Sequence, residues 1–137
     1  MKINAHKIGL NRYFVVKPTV KVYTNANKML IKALKVQQTA TRLDGIDPDD
    51  IKYTDMLIES LDTEDTFVAD GLEYLRTLFN LNKKQMEIVE NAVPDSLSLA
   101  SYVVYVIKRI KGQSDTQIEA AQRNATKEQR DESPKKE

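Results

Sequence analysis

Phe67-Val68-Ala69-Asp70-Gly71-Leu72-Glu73-Tyr74-Leu75-Arg76-Thr77-Leu78-Phe79-Asn80-Leu81-Asn82-Lys83-Lys84-Gln85-Met86 is the stretch that decides the fold. Phe67, Val68, Gly71, Leu72, Leu75, Leu78 and Phe79 recur at the spacing of one helix face. The pattern stops at Asn80 and a new helix opens at once. Asn82 fits an N-cap, Gln85 can reach back to the Asn82 backbone, and Leu81 can touch Met86. This is a capping-box variant with a hydrophobic staple. The stretch therefore reads as two helices joined by a tight junction.

Toward the C-terminus, the short helix carries Met86, Ile88 and Val89 and stops near residues 91–93. Pro94-Asp95-Ser96 opens another. Leu97, Leu99, Ala100, Val103, Val104, Ile107 and Ile110 give that helix a broad apolar surface. Tyr102 and Tyr105 are expected to pack in its core with their hydroxyls at the rim. Lys108, Arg109, Lys111 and then Gly112 mark its end. Residues 113–137 hold no aromatic, and their only apolar residues are Ile118, Ala120, Ala121 and Ala125. Such a segment buries too little surface to offset its ordering entropy. It reads as a disordered charged tail, with transient helix at 116–130.

Toward the N-terminus, Asp47-Pro48-Asp49-Asp50 is a helix-start signal: Asp47 as N-cap, Pro48 at the first helical position, two acids where the helix end is positive. Ile51, Thr54, Met56, Leu57, Ile58 and Leu61 follow. Asp62-Thr63-Glu64-Asp65 reads as a break and restart, with one continuous helix as the alternative. Before Asp44-Gly45, helical spacing joins Ala26, Met29, Leu30, Ala33, Leu34 and Gln37, with Thr24 or Asn25 as cap. Lys28, Lys32 and Lys35 lie off that stripe. Residues 12–17 are β-branched and aromatic up to Pro18, and residues 19–24 alternate, so both read as strands. Residues 2–6 add a further one. The fold class is thus α+β: a small N-terminal antiparallel β element, then a bundle of about four to five helices, then the tail. The chain divides into a folded domain at 1–112 and the tail at 113–137.

Composition narrows the function. The 137 residues contain no cysteine and one histidine, His6. Disulfides, thiolate metal sites and thiol catalysis are excluded, and a histidine triad has little material. His6 is expected on or near a strand, facing solvent or half-buried. No apolar run approaches the ~20 residues of a membrane helix, and the first residues lack a signal-peptide core. A cytosolic protein with no membrane partner is expected. The acids at Asp44, Asp47, Asp49 and Asp50 do not follow the calcium-loop pattern, because Gly45 directly follows the first and Pro48 interrupts. Asp62, Glu64, Asp65 and Asp70 have nothing converging on them. The four glycines are too scattered for a phosphate loop. No catalytic residue, cofactor site or metal site is expected, and the chain reads as a non-enzyme.

The net charge of +1 hides a partition. Residues 1–42 carry nine bases and no acid, whereas residues 43–99 carry fourteen acids and four bases. The two segments either fold against each other or offer the basic one to an acidic partner or a phosphate backbone. No helix-turn-helix, zinc-finger or RNP-type pattern is visible, which argues against nucleic acid.

With the β-rich opening at 12–24, the 67–86 stretch and the charged end in place, the chain resembles the tail assembly chaperones of long-tailed phages infecting Gram-positive bacteria. The resemblance spans roughly residues 10–112. It implies a siphovirus protein that binds and solubilises the tape measure protein in the host cytoplasm. Major tail protein then polymerises and displaces it, so it is absent from the finished virion. In many members, translation slips near the 3′ end and makes a longer product; Lys135-Lys136-Glu137 is compatible with a slippery run. On this reading the apolar helices would supply a groove for the partner, at Phe67, Leu72, Leu75 and Phe79 on one and Val103, Ile107 and Ile110 on the other, with residues after Gly112 contributing. A homo-oligomer is compatible with it. The rival readings are a nucleic-acid-associated accessory protein using residues 2–42, and a small structural subunit of an unrelated assembly.

Overall fold

The computed structural model describes residues 1–132, and side chains through Ala125. Strand β1 (Lys2–Asn4) pairs antiparallel with β2 (Tyr13–Val15), in the register Lys2↔Val15, Ile3↔Phe14 and Asn4↔Tyr13. Ile3 and Phe14 therefore share one face of the ladder, and both are buried. A 3-10 turn at His6–Ile8 and Gly9 lie between the strands. His6 is exposed there, bonded to the Asn4 side chain and edge-on to Tyr13. Five helices follow: α1 (Val20–Asp44), α2 (Tyr53–Phe79), α3 (Lys83–Ala92), α4 (Ser96–Ile110) and α5 (Asp115–Glu132).

Helix α1 begins where a strand was expected. Thr19, in extended conformation, accepts the Val22 N–H on Oγ1 at 3.2 Å and caps the helix. The Val20–Val22 alternation is overridden because the segment continues into a 25-residue helix, whose propagation outweighs the modest β preference of valine. Ala26, Met29, Ala33 and Val36 form its buried face, while Leu34, expected on that face, is exposed.

The 47–52 signal produces turns, not helix. Asp47 Oδ1 accepts the Asp49 N–H and Asp50 Oδ1 accepts the Lys52 N–H, each at 2.9 Å. These local side-chain bonds compete with helix hydrogen bonding, and the helix starts at Tyr53. Nothing then breaks it at 62–65, so α2 is continuous for 27 residues. The junction at 80–82 is as the sequence indicates. Asn80 adopts a left-handed φ of 52°. Asn82 accepts the Gln85 N–H at 2.8 Å and donates its own N–H to Gln85 Oε1 at 2.9 Å.

Helices α1, α2 and α4 pack mutually and enclose the main core. Gly71 permits the α2–α4 approach: a Cβ there would sit 3.2 Å from Leu99 Cδ2. The hairpin seals the other side, with Phe14 stacked on Phe79 at 4.5 Å between ring centroids.

The segment read as a disordered tail carries helix α5. Ser114 and Gln117 form a reciprocal capping pair (Ser114 N–H to Gln117 Oε1 at 2.8 Å, Gln117 N–H to Ser114 Oγ at 3.1 Å). Ile118 supplies the buried contact that composition undercounted. The remainder of the tail reading, at 133–137, lies outside the described residues, as does the lysine pair of the slippery run.

Candidate functional site

The seven side chains expected to line a partner groove are core. Phe67, Leu75 and Phe79 on α2 and Val103, Ile107 and Ile110 on α4 are buried, and Leu72 is half-buried. The reason is α1. Its buried face, Ala26, Met29, Ala33 and Val36, packs on α2 and α4 and closes that surface.

Apolar surface appears instead on the outside of α1. Val20 is 84% exposed, Ile31 56% and Leu34 48%, and Tyr23 is also exposed. At 3.6 residues per turn these four fall on one face. They form a row about 21 Å long at 1.5 Å per residue. Lys21, Lys28, Lys32 and Lys35 lie on a different face, and Lys32 reaches across to Asp70 of α2 at 2.8 Å. Both partners are partly solvated, so the pair adds little stability. Further apolar side chains project from the far end of the α1–α2 pair: Ile58, Leu61 and, in the connecting turn, Ile51. The sequence signal for the α1 row was present. Extending the helical period back from Ile31 and Leu34 reaches Tyr23 and Val20, which the strand reading had removed from it.

A second feature is a cleft of about 560 Å³ on the side of α4 away from its buried face. Leu97, Ser101 and Tyr105 of α4 form one wall, and Ile118, Glu119 and Gln122 of α5 the other. Polar bonds fix the walls. Tyr102 donates its hydroxyl to the Asn4 carbonyl at 2.7 Å, and Tyr105 donates its own to Asp115 Oδ1 at 2.8 Å. Arg109 adds an ion pair with Asp115 at 3.2 Å and donates to the carbonyls of Lys2 and Gln113. Burial raises the Tyr102 phenol well above its usual range and pushes that of Tyr105 up to about 12, with the Asp115 carboxylate adding to the latter. Both hydroxyls are therefore neutral donors at physiological pH. They sit at the rim of a packed helix, as expected.

Among the described residues, no group of three or more His, Asp or Glu side chains converges as a metal site. Asp62 and Asp70 border a smaller α1–α2 cleft with Lys32 and Lys35. No described helix is long and apolar enough to cross a membrane.

The fold and surface are those of a small helical protein that presents apolar rows and a helix-walled cleft to its surroundings. A family model described as phage tail assembly chaperone proteins matches residues 1–129, so the chain belongs to that family. The match includes the hairpin, all of α1 to α4 and most of α5. The family works on protein partners in tail assembly. No curated protein and no solved structure matches the chain.

Proposed function

We propose that this chaperone binds the tape measure protein and keeps its apolar helices in solution until the tail tube polymerises around them. Family membership supports the chaperone role. The observation that carries the finer reading is the α1 row of Val20, Tyr23, Ile31 and Leu34. A holding chaperone needs exposed, shallow apolar surface with modest affinity per site, used in many copies along a long partner. A row on a well-packed helix meets that need, because the α1 backbone is fixed from behind by Ala26, Met29, Ala33 and Val36 and does not have to order on binding.

On this reading the protein is not an enzyme. It acts in the cytoplasm of the infected bacterium, in a siphovirus of a Gram-positive host. It leaves the tape measure protein when major tail protein arrives, and so is absent from the virion. Self-association into a homo-oligomer is compatible with the same apolar rows. The domain boundary shifts with it: α5 is counted with the folded unit, since Ile118 is buried and the family match runs to residue 129.

The experiment is co-expression of the tagged chain with the tape measure protein of the same phage. Soluble tape measure protein that co-elutes with the chain supports the proposal. A tape measure protein that stays insoluble, or is soluble without the chain, refutes it.

A further inference from the structure

We propose that the α4–α5 cleft is a docking site for an amphipathic helix that carries one apolar row flanked by basic residues. The site is separate from the α1 row and does not depend on what that row holds.

Three observations converge. First, the walls are helices. Leu97, Ser101 and Tyr105 recur every four residues along α4, and Asp115, Ile118 and Gln122 every three or four along α5, so the space between them has the long axis of a helix groove. Second, both walls offer apolar side chains to the groove. Ile118 is buried on the α5 wall. Across the cleft Leu97 is 41% exposed and lines it without being covered. Third, the rim is acidic. Asp95, Asp115 and Glu119 face one base, Lys7. Asp95 gives one oxygen to the Ser98 N–H and Asp115 is shared with Arg109 and Tyr105, whereas Glu119 lies exposed on the α5 wall. A helix with lysine or arginine beside its apolar row complements this rim, and an acidic helix is repelled by it.

The test uses the full chain and two fluorescein-labelled peptides of about 14 residues, four helical turns. One has leucine at helical spacing with lysine elsewhere; the other is the same with glutamate. Fluorescence anisotropy at physiological salt is expected to show the lysine peptide binding at least about tenfold tighter than the glutamate one. Ser101→Arg, on an exposed position that any helix accepts, is expected to weaken binding about tenfold by filling and charging the cleft. Ile31→Asp, on α1, is expected to leave it unchanged. Equal binding of both peptides, no binding, or loss with Ile31→Asp but not Ser101→Arg would overturn the proposal. Should Ser101→Arg lose its helical circular dichroism, Glu119→Lys on the opposite wall replaces it, with the same two outcomes.

Discussion

Tyr102 donates its hydroxyl to the Asn4 carbonyl, while the Tyr74 hydroxyl is buried with no hydrogen-bond partner among the described residues. The two phenols thus predict opposite responses to the same change. Tyr102→Phe removes a bond between α4 and the hairpin and should cost about 1 kcal/mol. Tyr74→Phe removes only a desolvated group and should be neutral or stabilising by up to about 1 kcal/mol. Urea unfolding of both variants checks this. The same burial has a pH signature. The phenols of Tyr74 and Tyr105 are pushed up to about 12 in the folded chain, against ~10 when unfolded. Their contribution is complete below pH 10 and is lost as pH rises through 12, because only the unfolded chain can then release the protons readily. The urea midpoint should fall between pH 10 and 12, and less steeply in Tyr74→Phe. Gly9 is a third residue with a definite expectation. Its φ is +88°, and a Cβ there would lie 2.6 Å from that of Ala92. Gly9→Ala should cost about 2 kcal/mol through strain and overlap. A midpoint equal to wild type would show that the hairpin and α3 do not meet as described.

At the scale of elements, helix ends decide most of the architecture, and they were unequally legible. The Asn82–Gln85 box was readable because cap and third residue announce each other; Asn82→Ala should cost about 1 kcal/mol. The start of α4 at Pro94-Asp95-Ser96 was readable for the same reason. Residues 47–52 were misread because an aspartate that caps a helix and one that closes an Asx turn look alike in sequence. Residues 19–24 were misread because alternating valines outweighed a threonine cap. Phe67, Leu75 and Ile107 looked available to a partner because their two helices are the most apolar segments, and that apolar surface is the core, packed against α1. Helix α5 was expected only as transient helix at 116–130 on composition, although Ser114-Asp115-Thr116-Gln117 carries a capping signature. Among the described side chains Ile118 is the buried apolar anchor of α5, which gives a separable prediction. Ile118→Asp should release α5 to limited proteolysis while the unfolding of the rest of the chain stays cooperative. Protection of α5 equal to wild type would contradict the single-anchor account.

At the scale of the molecule, the charge partition resolves into geometry. The basic segment is the hairpin and α1, half of the acids of the acidic segment lie on α2, and the two helices lie against each other with Lys32 paired to Asp70. The apolar row on α1 is left uncovered by this arrangement. It is the central claim of this account that the row holds the tape measure protein. The direct measurement is the amount of soluble tape measure protein recovered on co-expression with wild type and with Ile31→Asp/Leu34→Asp. Both positions are exposed, so the variant should keep the wild-type melting temperature within a few degrees. The account predicts recovery with wild type and a loss of at least about tenfold with the variant, as expected when two apolar anchors of one row are replaced by charge. Equal recovery with a folded variant would contradict it.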